Sequence, residues 1–228
     1  MRERPLLFLA PMVLAILAGR KTVTRRVLTA SFPPVGKRVP GPAYERASMT
    51  NDAALLKGDN VEPLTVVCPY GQPGDRLWVK ETWRPAASSL GQRIGWRITY
   101  AADGAVLFSD LARVDAAWRC PAAAKRGNVT PLFMPRWASR LTLEVVSVRV
   151  ERLHDITEED ARAEGVERHP TENGWRNYEP EPHFEGVAYH TTARESFASL
   201  WRFLNGAESW DASPWVWRVE FKRVEVAR

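Results

Sequence analysis

The stretch Gly19-Arg20-Lys21-Thr22-Val23-Thr24-Arg25-Arg26 leaves the chain little conformational freedom. It follows an apolar segment in which Met12, Val13, Ile16 and Leu17 share one helical face, and it runs into a β-branched, basic stretch over 22–27. Pro11 suits the first turn of such a helix, where its missing N–H costs nothing. Gly19 suits the turn just past the helix, because glycine takes the left-handed conformation without a steric penalty. The predicted order is therefore a buried strand over 5–10, a helix opening at Pro11, a turn at Gly19 and a strand over 22–27. Four cations and two hydroxyls crowd the eight residues of that turn. Lys21 and Thr24 are three apart, and on a regular strand they would face opposite sides; they meet only if the backbone turns between them. If it turns, a hydroxyl nucleophile and an amine share one site. If it does not, the stretch is a basic surface loop.

The rest of the chain has the means to bury that helix, since 45% of the 228 residues are hydrophobic. Lys and Arg number 32 against 27 Asp and Glu, a net charge of +5 that permits an anionic partner such as a nucleic acid without requiring one. Ten Trp can fill a core, and their flat faces also suit nucleobase stacking. Cys68 and Cys120 show no CxxC or Cys/His spacing, so neither a zinc site nor a disulfide framework is indicated, and a reducing cytoplasm is the expected setting. Arg2 and Arg4 before the apolar run 5–19 imitate a secretory signal. Pro11 interrupts that run, however, and the cation cluster follows it where a small-residue cleavage site would stand. No other stretch approaches the roughly 18 apolar residues of a membrane span, so a soluble intracellular protein is expected. No internal repeat, GxSxG, P-loop or GxGxxG occurs, which leaves the familiar serine chemistry, NTP hydrolysis and dinucleotide binding without support.

Residues 28–64 are rich in Pro, Gly and polar side chains without a sustained period, and are expected to form a long excursion. Dense turn chemistry from Cys68 to Asp75 delivers the chain into a strand. There Leu77, Val79 and Glu81 share one face, and Trp78, Lys80 and Thr82 the other. A carboxylate ending an apolar face is either a rim residue in water or a buried group with a partner. A strand over 96–102, a hairpin turn at Asp103-Gly104 and a return over 105–108 follow, while 84–130 otherwise has the character of an inserted flap or loop. Leu141, Leu143 and Val145, then Val148 and Val150, mark a long strand whose slip at Val145-Val146 predicts a bulge, the bend that a small closed barrel needs. Residues 155–165 form a compact helix: Thr157 with Asp160 resembles a capping box, acids crowd its first turn and Gly165 stops it. Glu164 then either points inward beside Ile156 and Ala161 or is an exposed helix-end glutamate. A polar loop over 166–191 holds His169, His183 and His190 with neither HxxxH nor HxH spacing, so no metal site is expected. Thr192 and Glu195 form a second capping box, opening a helix that buries Phe197, Leu200, Trp201 and Leu204 and ends at Gly206. Trp215, Trp217, Val219 and Phe221 alternate against Val216, Arg218 and Glu220 in a closing strand whose large residues fill the core.

The apolar helix, the motif Gly19 to Arg26, Gly74-Asp75-Arg76-Leu77-Trp78-Val79, the segment 153–165 and the ending Trp217-Arg218-Val219-Glu220-Phe221 resemble the ASCH domain family. The spellings at 68–83, 134–138 and 209–217 are similar to its longer phage- and prophage-associated members, and the matching blocks cover about half of the chain. The resemblance implies an α+β, PUA-like fold: a small mixed β-barrel flanked by helices. It implies a single domain over 1–228 with insertions at about 28–64, 84–130 and 166–191. Short bacterial members are N4-acetylcytidine amidohydrolases with a Lys, Thr and Glu triad. By motif, Lys21 and Thr24 take the two positions of the GRKTxTxR signature, Glu164 takes the glutamate, and Arg26 matches the last arginine, as a substrate-binding residue. Arg25 stands where the short enzymes are apolar.

In that reading Thr24 attacks the acyl carbon and Lys21, as a neutral amine, accepts its proton; burial and crowding by Arg20, Arg25 and Arg26 both favour the neutral form. Glu164 protonates or hydrogen-bonds the departing cytosine amine. Placement adds Glu81 and Trp83 as base-recognition candidates, with core packing the competing role for Trp83. The expected substrate is N4-acetylcytidine or a related N4-acylated cytosine nucleoside, handled by a cytoplasmic monomer without metal, cofactor or membrane. The rivals are a non-catalytic PUA-like module that binds RNA or single-stranded nucleic acid, and a ribonuclease using the same Lys and Glu on phosphate.

Overall fold

The computed structural model describes residues 1–28, 45–50, 53–58, 61–169, 173–180 and 189–225. In chain order these form β1 (Glu3–Leu7), α1 (Ala10–Leu17), β2 (Val23–Val27), β3 (Glu45–Met49), β4 (Ala53–Gly58), β5 (Val61–Val67), β6 (Arg76–Lys80), β7 (Trp83–Leu90), β8 (Arg93–Tyr100) and β9 (Val106–Asp110). After several 3-10 turns come β10 (Thr142–Arg152), α2 (Glu158–Ala163), β11 (Trp175–Arg176), β12 (Tyr189–His190), α3 (Ala193–Asn205) and β13 (Trp215–Val224). The architecture is mixed α+β, dominated by sheet.

The central sheet has the order β1-β6-β10-β13-β2, with β1 parallel to β6 and the remaining pairs antiparallel. Its core is built from Leu77 and Val79, from Leu143, Val145, Val148 and Val150, and from Trp217, Val219 and Phe221, all at most 9% exposed. Met12, Val13 and Ile16 of α1 pack on this core, as do Phe197, Leu200 and Trp201 of α3. Leu204 does not join them; it is 47% exposed at the last turn of α3. The β10 bulge falls where the alternation slips, between Val145 and Ser147, and turns Val146 out to solvent.

The expected closed barrel is not formed by the described strands. β1 and β2 are the two edges of the sheet and share no backbone pairing. They meet through a side chain instead, Arg26 Nη2 donating to Leu7 O at 2.6 Å. The gap between them is where the candidate site lies.

Two further sheets occupy segments expected to be irregular. Part of 28–64 forms the meander β3-β4-β5, and its Ala54, Leu56 and Val66 join the main core. Ala, Gly and Lys weaken the strand signal of β4, and packing against the core overrides that weak propensity. Residues 29–44, 51–52 and 59–60 of the expected excursion lie outside the described segments, as does His183. In the segment 84–130, β7, β8 and β9 form an antiparallel sheet whose first hairpin turns at Gly91 (φ +60°) and whose second turns near Gly104 (φ +72°). The return strand ends at Asp110 rather than Phe108. Trp83, Ile98, Tyr100, Val129, Met134 and Ala138 make a second buried cluster beneath this sheet. The loop expected over 166–191 contains the short pair β11-β12, and 181–188 lie outside the described residues.

Candidate active site

Lys21 owes its position to how α1 ends. Gly19 takes φ +72°, and the N–H groups of Arg20 and Lys21 both donate to Ala15 O, at 2.9 and 3.1 Å, which reverses the chain before β2 begins at Val23. Thr22 N then donates to Ala163 O at 2.9 Å and fastens the turn to the end of α2. Lys21 therefore stands just ahead of the strand that carries Thr24, and both side chains can face the same space. Both residues are buried, at 4% and 3% exposure.

Glu164 arrives from the far end of the sequence. Thr157 caps α2 by accepting from Asp160 N at 3.1 Å, and Glu158, Glu159 and Asp160 sit at the positive end of the short helix. Glu164 is its C-cap residue, and Gly165 turns the chain away at φ +85°. The glycine is needed for space as well as angle: a Cβ there would lie 2.7 Å from Lys21 Cβ and 2.8 Å from Ala15 Cβ. Without that side chain the α2 terminus closes onto Lys21, and Glu164 is buried at 3% exposure.

Lys21 Nζ donates to Glu164 Oε2 at 2.6 Å, to Glu164 O at 2.7 Å and to Val23 O at 2.8 Å. Three acceptors match the three protons of an ammonium. Burial nevertheless pushes the Lys21 amine below its ordinary range; Glu164 opposes that effect, while Arg26 and Arg25 add to it. Arg20 takes no part: it is exposed, and Nη1 donates to Gly165 O at 3.2 Å.

Arg25 is the residue whose role the sequence reading left unassigned. Its side chain is fully buried and bridges Glu151 at 2.6 Å, Asp160 at 2.8 Å and Glu164 Oε1 at 3.3 Å. Arg218 holds Asp160 at 2.9 Å and Arg149 holds Glu151 at 2.7 Å. The acids at the start of α2 were a partial signal, but nothing local paired them with position 25.

Lys21, Thr24, Arg26 and Glu164 all line one cavity of about 380 Å³. Its other walls are mainly apolar, with Phe8, Met12, Phe197 and Leu204 among them, and Pro131 reaches it from the segment after β9. The Thr24 hydroxyl has no hydrogen bond among the described residues, which leaves it available to a ligand. Arg26 lies 5.3 Å from the Phe8 ring, and its Nε is buried without a partner among the described residues.

Glu81 and Trp83 are not brought to this cavity. Glu81 is buried and held bidentately by Arg140 at 2.8 and 2.9 Å, so it is the partnered alternative of the two readings; burial pushes its carboxyl above the usual range despite that arginine. Trp83 is fully buried in the second cluster, in edge contact with Trp137 at 6.3 Å, and has no free face for a base. The strand alternation places both inward, toward a core whose position it does not encode.

Among the described residues no group of His, Cys, Asp and Glu is arranged to hold a metal ion, and no helix is long and apolar enough to cross a membrane. No family model, curated protein or solved structure matches the chain.

Proposed function

We propose that the protein is an amidohydrolase that removes the acyl group from N4-acetylcytidine or a related N4-acylated cytosine nucleoside, on a PUA-like, ASCH-type scaffold. The observation that carries the proposal is the buried 2.6 Å contact between Lys21 and Glu164, residues 143 apart in sequence, with the Thr24 hydroxyl on the same cavity wall. A cavity of about 380 Å³ with mainly apolar walls and a few convergent polar groups suits a small neutral substrate.

The chemistry balances through the Lys21–Glu164 pair. A proton passes from the ammonium to the carboxylate, which exchanges two buried charges for two neutral groups and frees the amine. Thr24 then attacks the acyl carbon and Lys21 takes the hydroxyl proton as the C–O bond forms. Arg26 stabilises the resulting oxyanion with its guanidinium. Glu164 returns its proton to the cytosine nitrogen as the C–N bond breaks, leaving a threonyl ester and a restored ion pair. Water cleaves the ester with Glu164 accepting its proton and Lys21 returning one to Thr24.

The test is to incubate the purified protein with N4-acetylcytidine and measure cytidine and acetate by chromatography. Turnover is expected, with Thr24→Ala lowering kcat by about 10³-fold or more and Glu164→Gln by about 10²- to 10⁴-fold. Hydrolysis no faster than in buffer, or full activity in Thr24→Ala, overturns the reading.

A further inference from the structure

The positive charge of the molecule is concentrated in one segment. Residues 83–140 carry nine Lys and Arg against three Asp, a net +6, while the whole chain carries +5; the remainder is therefore slightly acidic. Three of the nine are neutralised: Arg93 pairs with Asp110, Arg136 with Glu3, and Arg140 with Glu81 and Asp103. The other six, Arg84, Arg97, Arg113, Arg119, Lys125 and Arg126, are exposed and form no salt bridge among the described residues, although the charge of Arg113 helps to hold the Asp110 carboxyl low. Unpaired cations gathered on one unit cost self-repulsion, which an anionic ligand relieves.

The sheet register places part of this charge beside an aromatic ring. Trp83 faces Tyr100 toward the buried cluster, so the alternate positions form the outer face. On that face Arg84 lies opposite Thr99, while Arg97 lies opposite Ala86 on one side and Phe108 on the other. Gly95 has no space for a side chain: a Cβ there would lie 2.1 Å from Ser109 O and 3.0 Å from Phe108 Cζ. The Arg93 guanidinium lies 5.4 Å from the ring centroid. Small neighbours, Ala86, Ser88 and Gly95, keep the face low around the half-buried ring. A groove of about 600 Å³ continues from Phe108 past Arg113 and Arg136 to Trp137, whose indole Nε1 is buried without a partner among the described residues.

We infer that the outer face of β7-β8-β9 and the adjoining groove form a docking surface for single-stranded nucleic acid, with Phe108 stacking a base and Arg84, Arg97 and Arg113 contacting phosphates. Aromatic faces interleaved with unpaired cations are what a flexible, regularly charged strand of bases requires. A duplex has no unstacked base to offer Phe108. The inference does not depend on the hydrolase reading.

The test is fluorescence anisotropy of labelled 12-nucleotide RNA and DNA single strands, titrated with the full chain between 50 and 200 mM KCl. The wild type is expected to bind, with affinity falling steeply as salt rises. The double variant Arg84→Glu/Arg97→Glu should bind at least about tenfold more weakly, with a log–log salt slope shallower by about 1.4. Phe108→Ala should weaken binding about tenfold and leave the slope unchanged. If charge reversal lowers the melting temperature, Arg84→Ala/Arg97→Ala replaces it in the comparison. Absence of salt-dependent binding by the wild type overturns the inference, as do unchanged affinities in the variants. So does competition by heparin at equal strength with Phe108→Ala indistinguishable from wild type, which would mark a purely electrostatic surface.

Discussion

With its guanidinium wholly buried, Arg25 satisfies Glu151, Asp160 and Glu164 together, and its loss leaves those three acids to Lys21, Arg149 and Arg218. Arg25→Leu should therefore cost about 3–5 kcal/mol in chemical denaturation, the usual penalty for removing one partner of a buried charge network. It should also shift the chemistry. Lys21 is held low by burial first and by Arg26 and Arg25 in addition, so removing Arg25 lets the amine keep its proton to higher pH. The falling limb of kcat/KM against pH for N4-acetylcytidine, where the Lys21–Glu164 pair loses its shared proton, should move upward. An unmoved limb in a folded variant would show that Arg25 acts only as a structural clamp. Lys21, Thr24 and Arg26 were legible as candidates because they are crowded into eight residues; the Arg25 clamp was not, because its three partners lie 126 to 139 residues away.

Gly19 and Gly165 both end helices at positive φ, yet substitution should affect them differently. At Gly19 a methyl group meets nothing within 4 Å, so Gly19→Ala should cost only backbone strain, about 1–2 kcal/mol. At Gly165 the same methyl would press on Lys21 and Ala15, adding an overpacking penalty and displacing the amine, so Gly165→Ala should cost about 2–4 kcal/mol and also lower kcat. Denaturation midpoints and single-turnover rates on the two variants separate these effects; equal losses would refute the account of Gly165. Caps and stops were readable at this scale, since Thr192 and Glu195 form the reciprocal capping box and Thr157 caps α2 within four residues of sequence. The β3-β4-β5 meander was not readable, because Ala- and Gly-containing strands carry little propensity of their own and depend on the core they cover.

Across the whole molecule, several carboxylates titrate below their ordinary values in the folded state. The Arg2 N–H, at 2.7 Å, and Arg4 hold Asp75 low against burial, tying β1 to the start of β6. Burial works against the charge on Asp160, but Arg218, Arg25 and Arg149 outweigh it. Because these folded pKa values lie below the unfolded ones, their stabilisation is complete above the unfolded carboxylate range, near pH 4, and is lost as pH falls through the folded values. The melting temperature should stay level from pH 7 to about pH 5 and then drop, with a smaller drop in Asp75→Asn; an equal drop in that variant would exclude Asp75 as a contributor. The sequence by itself determined the order of strand, helix, glycine turn and strand, the capped ends of the later helices, the β10 bulge and the apolar strand faces, since each depends on residues a few positions apart. Only the tertiary structure decided that Glu164 turns inward to Lys21, that Arg25 binds three acids, that Glu81 and Trp83 belong to a second core, and that β1 and β2 leave a cavity instead of closing a barrel. Those outcomes rest on packing and charge between segments separated by scores of residues, and no periodicity within a segment records which distant surface it will meet.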